Sequence, residues 1–501
     1  MLTSLLRRKS LDAILKDGET PQHQLKRTLN AFDVVMLGIG AIVGAGIFAT
    51  IGTAAAGDAT RPGAGPALIL SFVITAVACG FAALCYAEFA AMVPISGSAY
   101  TYSYATLGEI VAWIIGWDLI IEYAVGNVAV AISWGNYFKT FVAGFGIHIP
   151  DWLSTDYRTA ARIPGLFENA PHIFGIPIVF NILAIGIVAL ITIVLVVGIR
   201  ESAMLNTAMV GLKLIVLGFF IVVGWSYMKT DNWEPFAPNG WAGIQAGAAV
   251  VFFAYIGFDA VSTVAEEVRD PKRDLPIGII GSLIICTIIY VVVAMVFTGI
   301  IPYSALVQKL ATEQAEPLTM ALQYANIERW GNVFVGIVAF GSVVAHTAVL
   351  LVFQLGQPRI FFSMARDRLL PQSFARVHPR FRTPHVTTIL TGVAVGVCAM
   401  FTSIDEMVDL TNIGTLFAFI LVCVGILILR KREPTRPRAF KTPWVPFVPI
   451  AGIVSCFYLM MGLPWITWIR FALWLALGLV IYFMYGYKRS GLRNQTSLDQ
   501  M

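Results

Sequence analysis

AFDVVMLGIGAIVGAGIF, residues Ala31 to Phe48, decides the fold. It is apolar enough to be a membrane helix, yet it carries Gly38, Gly40, Gly44 and Gly46. Each glycine costs a helix about 1 kcal/mol relative to alanine. In hydrocarbon, an unpaired backbone N–H or C=O costs several kcal/mol. Such a cluster at mid-membrane is tolerable where the freed groups face a cavity or a ligand. The stretch therefore reads as a helix broken near Gly40 to Gly46, with two half-helix ends at a central site. The N-terminal end of the outer half attracts an anion, and the C-terminal end of the inner half attracts a cation. A solute with a carboxylate beside an ammonium fits both ends. A close-packing face of the GxxxG kind, Gly40 to Gly44, is the competing reading.

The surrounding chain agrees with a membrane setting. Of 501 residues, 58% are hydrophobic and 13% charged, against about 25% charged in soluble domains. Mean hydropathy is +0.78. The first 31 residues are polar and basic, so no cleavable signal is expected. Cys79, Cys85, Cys286, Cys398, Cys423 and Cys456 all fall in apolar spans and read as small core residues, not as a disulfide or metal framework. The net charge of +5 sits at membrane-flanking loops, which argues against a nucleic-acid partner. HExxH, GxSxG, P-loop and ligand-spaced His/Cys patterns are all missing. An enzyme, a cofactor and a metal are therefore not expected.

A membrane helix needs about 20 mainly apolar residues. Twelve such spans are expected, near 32–56, 66–93, 105–140, 177–198, 203–228, 241–266, 276–301, 330–364, 384–402, 406–430, 446–463 and 467–486. Placing the N-terminus in the cytoplasm puts 24 of the 34 Lys and Arg residues on the inner side, as the positive-inside bias requires. An even span count then leaves both termini cytoplasmic. The organisation expected is a cytoplasmic segment 1–31, one helical domain 32–486 and a disordered cytoplasmic tail 487–501, without strands. Two long outer loops, 141–176 and 302–329, remain. The second can form short helices over the outer mouth.

The sixth span repeats the anomaly of the first. In GAAVVFFAYIGFDAVSTVAEE, Gly257 and Asp259 interrupt an aromatic run. An acidic residue inside a span is a functional candidate; capping of the resumed half-helix is the structural alternative. Interrupted helices at matching positions of two halves point to an inverted-repeat architecture with its site at the midplane.

These residues are also familiar as a set. GIGAIVGAGIF, GPALILSF with CYAEFAAMVPISGSAYTYSYATLGE, FFAYIGFDAVSTVAEEVRDPKRDLPIGI, RIFFSMARDRLLP and DLTNIGTLFAF occur in this order. Together they resemble the amino acid–polyamine–organocation superfamily, most closely its cationic amino acid transporter branch and bacterial homologues, over roughly residues 30 to 485. The resemblance implies an all-α integral membrane fold of five-plus-five inverted repeats. Helices 1 and 6 are unwound at the site, and two extra helices follow at the C-terminus. It implies uptake or exchange of amino acids, often driven by protons.

Carried over residue by residue, the family's helix 1 loop falls on Gly44-Ala45-Gly46, whose amides would hold the substrate carboxylate. Many members have Ser or Thr where Ala45 stands, so a hydroxyl contact there is missing. The carbonyls of Ile42, Phe253, Ala254 and Ile256 would hold the ammonium, with Phe253 as an aromatic lid. Lys213, in MVGLKLIVLG, lies about 15 Å from either interface at 1.5 Å per residue, too deep to snorkel. A desolvated lysine can load and release a proton. Lys213 looks like the lysine that replaces a sodium ion in proton-coupled members; a fixed charge tied to carbonyls of unwound helix 1 is the alternative.

Glu122, in GWDLIIEYAVGN, matches a GWDLIxEY of bacterial relatives. It can receive a cationic side chain or a proton, or pair with Lys213 or Asn127. His346, in GSVVAHTAVLLV, falls at or near the position facing the substrate side chain, where relatives carry Ser or Met. A histidine there narrows the pocket and favours a small or polar substrate over an extended arginine or lysine; a core histidine bonded to a neighbouring helix is the other reading. Glu266, Glu267 and Arg269 in the run after span six would close an inner gate, or form a solvated loop. Arg368, where relatives have glycine, suggests only a surface effect.

The expectation is a secondary active transporter in the cell membrane that moves a small neutral amino acid with a proton. The partners are that amino acid, protons and the bilayer; a homodimer or a small membrane subunit stays open. A cationic amino acid or polyamine transporter, and a non-transporting receptor of the same fold, are the alternatives.

Overall fold

A computed structural model describes residues 7–9, 27–93, 98–198, 203–312 and 316–492. The expected cytoplasmic stretches 1–31 and 487–501 lie only partly within these. The chain is predominantly helical. Among the described residues, nine helices are long and apolar enough to cross a membrane. Three shorter apolar helices, Ile182–Val197, His385–Phe401 and Phe447–Met460, fall at the fourth, ninth and eleventh expected spans.

The helices that build the site are α1 (Ala31–Ile42) and α2 (Ile51–Ala56), then α3 (Leu68–Met92), α4 (Glu109–Ile120) and α5 (Gly126–Ala143). They continue as α6 (Ile182–Val197), α7 (Ala203–Trp225), α8 (Gly240–Val251), α9 (Pro271–Ile300), α10 (Gly331–Arg366), α11 (His385–Phe401) and α12 (Ile404–Arg432). Helix α13 (Phe447–Met460) and α14 (Trp465–Ile481) close the chain. Asn30 starts α1 with a capping box: its side chain accepts from the Phe32 and Asp33 amides, and Asp33 accepts from the Asn30 amide.

Packing sorts the helices into two groups. One joins α1, α3, α8 and α9; the other joins α5, α6, α10 and α11. Helix α7 leans on both, touching α1, α9 and α10. Helix α12 does the same from the other side, touching α3, α5 and α8. Faces turned away from these contacts carry exposed apolar side chains such as Leu190, Val222, Ile288 and Leu473, as lipid-facing surfaces must.

Two expectations need correction. The described residues do form strands, as two minimal hairpins: Gly57–Asp58 with Arg61–Pro62, and His172–Ile173 with Ile176–Pro177. Both are loop turns too short for an alternating pattern to show. Cys398 is exposed, while the other five cysteines are buried and all six are free; it lies on the outer side of α11. The loop 302–329 does carry short helices, Tyr303–Thr312 and Pro317–Tyr324. Both ends of the described chain meet one face. Glu109 donates its amide to the Arg7 carbonyl, and its side chain accepts from the Ser490 hydroxyl.

Candidate functional site

The glycine cluster breaks its helix where the sequence suggests. Helix α1 stops at Ile42, and Val43 turns out of it at φ −77°, ψ 101°. A wide helical turn, Gly46–Thr50, then leads into α2. The second anomaly also breaks. Helix α8 tightens over Phe252–Tyr255, Ile256 is extended at ψ 134°, and Gly257 takes φ +122°. A tight helical segment resumes at Asp259. Asp259 is the first residue of that segment and not its cap, which is Phe258.

The two breaks touch. A Cβ on Gly46 would lie 2.1 Å from the Ala254 Cα, and one on Gly257 would lie 2.8 Å from the Ala41 carbonyl. A Cβ on Gly44 would meet Val349 of α10 at 2.6 Å. Glycine is thus required by backbone-to-backbone approach, not only by chain flexibility. Gly44, Ala45, Phe253, Ala254 and Ile256 are brought together, all buried.

Lys213 lies at the end of α1. Its Nζ donates to the Gly40 carbonyl at 2.7 Å and the Val43 carbonyl at 3.0 Å, and the side chain is fully buried. These are orphan acceptors of a helix C-terminus, where a cation is favoured. The Ile42 carbonyl, expected to receive the substrate ammonium, accepts from the Tyr290 hydroxyl at 3.0 Å. Its second lone pair remains for a ligand. Asn412 of α12 performs the parallel task at the end of α8, donating to the carbonyls of Ala249 at 2.8 Å and Val250 at 3.2 Å. Tyr290 and Asn412 were not singled out in the sequence. The only signal was that a lone polar side chain in an apolar span needs a partner.

His346 has both ring nitrogens engaged. Nδ1 faces the Ser342 carbonyl of its own helix at 2.6 Å, and Nε2 faces Ser133 Oγ of α5 at 2.7 Å. A carbonyl can only accept, so Nδ1 carries a proton, and in the neutral ring Nε2 accepts from the Ser133 hydroxyl. The ring packs against Phe48 and Tyr137, with centroids 5.8 and 5.5 Å away. The geometry is that of a core histidine bonded to a neighbouring helix, with neither nitrogen free. Tyr137 also donates to the Phe48 carbonyl at 2.6 Å.

Glu122 is paired with neither Lys213 nor Asn127; Asn127 instead donates to Gln354 at 3.4 Å. The neighbour of Glu122 is the Asp259 carboxylate. Both are buried, and neither forms an ion pair with a lysine or arginine among the described residues. The hydroxyls of Tyr86 and Tyr123 lie near them and have no hydrogen-bond partner among the described residues.

A cavity of about 600 Å³ opens on the face opposite the termini and reaches Ala49, Ser133 and Tyr137, next to His346. Its wall holds Arg61, which donates to Asp58 at 2.8 Å and to Asp409 of α12 at 2.5 Å. Burial is the largest influence on the Asp58 carboxyl and raises its pKa, but Arg61 and the Thr60 hydrogen bonds together outweigh it and hold it below its ordinary value. On the termini face, the segment after Asp259 is tied to the chain before α1 through backbone. Thr28 and Leu29 donate to the Glu267 carbonyl at 2.9 and 3.0 Å, and Arg269 donates to Leu29 at 2.9 Å. Glu267 and Arg269 thus take part in this tie through their main chains. Among the described residues, no group of His, Cys, Asp or Glu side chains is arranged to hold a metal ion.

Residues 29–485 match the model of a family described as Amino acid permease. Over 492 residues the chain is 46% identical to the Branched-chain amino acid permease BcaP of Bacillus subtilis, covering 98% of this chain and all of that protein. It is 42% identical over 489 residues to the Methylthioribose transporter of the same organism, covering 98% and 99%. It is 37% identical over 439 residues to Cationic amino acid transporter 4, vacuolar, of Arabidopsis thaliana, covering 86% of this chain and 68% of that one.

Proposed function

We propose that this chain, which belongs to the amino acid permease family, is a proton-coupled symporter of a neutral amino acid with a small or branched apolar side chain. Twelve helices cross the cell membrane in two inverted five-helix repeats, and two helices follow. The packing supports this: α1 against α9 is mirrored by α8 against α3, and α7 at α1 is mirrored by α12 at α8. Both termini are cytoplasmic, as the charge bias of the loops supports.

The observation that carries the proposal is the Lys213 ammonium, seated on two carbonyls of the broken α1 at 2.7 and 3.0 Å. The amides of Gly44, Ala45 and Gly46 hold the substrate carboxylate. The carbonyls of Ile42, Phe253, Ala254 and Ile256 receive the ammonium. Protonated Lys213 fixes the end of α1; on losing its proton it releases those carbonyls and lets α1 move. Phe253 covers the site, and the tie between Thr28–Leu29 and Glu267–Arg269 closes the inner face. The neutral side chain is supported by the apolar Val349 and Ala254 side chains packed against Gly44 and Gly46, and by the full-length likeness to a branched-chain permease.

The test is counterflow and ΔpH-driven uptake in proteoliposomes. Labelled leucine, valine or alanine should accumulate only with an inward proton gradient. Uptake of arginine or a polyamine alone would reverse the substrate reading. A second reading has its own support: Glu122 and Asp259, which no lysine or arginine pairs among the described residues, can receive a cationic substrate, and several relatives are cationic amino acid transporters. Methylthioribose belongs in the competition panel because of the second Bacillus relative. Binding without any flux would favour a receptor.

A further inference from the structure

A second hollow lies on the outside of the bundle, at the termini face. It holds about 720 Å³ and is lined by Lys272, Arg273, Pro276, Ile277, Ile280 and Phe440, with Asp270, Gly281 and Ala439 at its margins. Its upper rim carries two cations. Lys272 and Arg273 are exposed, and neither forms an ion pair among the described residues. They occupy the first turn of α9, whose amide end adds positive potential. The acidic groups facing them are Asp270, exposed on the rim, and Asp274, buried in the same turn.

The opposite wall is rigid. Glu88, fully buried, accepts from Arg430 Nε and Nη2 at 2.8 Å each, from Arg438 Nε at 3.0 Å and from the Thr442 amide at 2.8 Å. Arg438 and Thr442 bracket Phe440, so the knot fixes that side of the hollow. Below the rim, an apolar stripe runs down α9 through Ile277, Ile284 and Ile288, which are 41%, 55% and 61% exposed. Eleven residues at 1.5 Å give about 16 Å, close to half of the roughly 30 Å hydrocarbon thickness. Cations over an apolar channel one leaflet deep match an anionic lipid and not a soluble anion, which would have no use for the stripe.

We propose that this hollow binds an anionic diacyl phospholipid, with its phosphate at Lys272 and Arg273 and one acyl chain along Ile277, Ile280 and Ile284. The loop charge bias places this face at the inner leaflet, where a basic juxtamembrane site meets anionic lipid. The same turn of α9 follows directly on the Leu29–Arg269 backbone tie, so an occupied site braces the inner closure.

Thermal melts of delipidated full-length protein test it, with dioleoyl phosphatidylglycerol, dioleoyl phosphatidylcholine or inorganic phosphate added. Phosphatidylglycerol should raise the melting temperature, and the other two should not. The double substitution K272Q/R273Q should remove most of that rise, as should I280W, which fills the channel and keeps both charges. The control K431Q/R432Q, outside the hollow, should leave it intact. Should K272Q/R273Q fail to fold, I280W against the control decides. An equal rise with phosphatidylcholine or phosphate, or a rise unchanged in I280W, overturns the proposal.

Discussion

The two broken helices solve one problem with different chemistry. Each leaves carbonyls exposed at the end of its first half, inside the protein and away from water. At α1 the carbonyls of Gly40 and Val43 are held by a lysine; at α8 those of Ala249 and Val250 are held by an asparagine. Both donors come from the helix that spans the two packing groups, α7 in one case and α12 in the other. A carboxamide is always neutral, so its hold on the α8 end does not depend on pH. An ammonium can give up its proton, and with it the charge that complements the helix end. That interaction is worth about 0.3–1 kcal/mol at a surface and up to ~2 kcal/mol when partly buried. On the proposed proton coupling, the α1 break responds and the α8 break stays.

Removing the donor at the responsive break should have the largest effect. Lys213→Met keeps the volume and leaves two carbonyls without their cation. It should fold, retain some exchange of labelled substrate, and lose ΔpH-driven accumulation entirely. The measurement is paired counterflow and gradient-driven uptake in proteoliposomes. Accumulation at the wild-type level in this variant would erase the distinction between the breaks.

Next come the glycines that let the breaks meet. Gly46→Ala places a methyl 2.1 Å from the Ala254 Cα, and backbone must move to accept it. Overpacking of this kind costs about 1–3 kcal/mol, and the same shift displaces the amides assigned to the carboxylate. Substrate-induced thermal stabilisation should vanish. Gly44→Ala meets only the Val349 side chain at 2.6 Å and should weaken binding less. The order of the two variants, read by thermal shift with saturating substrate, checks which contact is rigid.

At the fixed break, Asn412→Ala should leave the carbonyls of Ala249 and Val250 unmet. An unsatisfied buried acceptor costs about 1–3 kcal/mol, so the melting temperature and the maximal rate should fall. The shape of the pH–rate profile should not change, because no titrating group has been lost. A shifted profile would mean that the second break takes part in coupling.

How much of this was legible depended on whether a residue was anomalous by itself. Four glycines in one apolar span, and Gly257 beside Asp259 in another, violate helix chemistry locally, and both breaks occur there. Lys213 was conspicuous because a lone ammonium in hydrocarbon must find acceptors nearby. Tyr290 and Asn412 were not, since a phenol or an amide in a span is unremarkable until the carbonyl opposite it is known. Arg61 and Asp409 lie 348 positions apart, and nothing local in the sequence joins them. The inner tie was sought in side chains; the backbone bonds that join Thr28 and Leu29 to Glu267 and Arg269 carry no sequence signature.

The smallest effect is expected at His346, which stands beside the first break without belonging to either helix end. Its nitrogens are taken by Ser133 and Ser342, so the selectivity proposed for it rests on shape. His346→Gln can keep one hydrogen bond to α5 and is slimmer than the ring that packs on Phe48 and Tyr137. Uptake should keep its proton dependence while KM shifts a few-fold in favour of larger side chains, leucine over alanine. A change in the pH profile with KM unmoved would instead make the imidazole a proton carrier, and the response to protons would no longer reside in Lys213 alone.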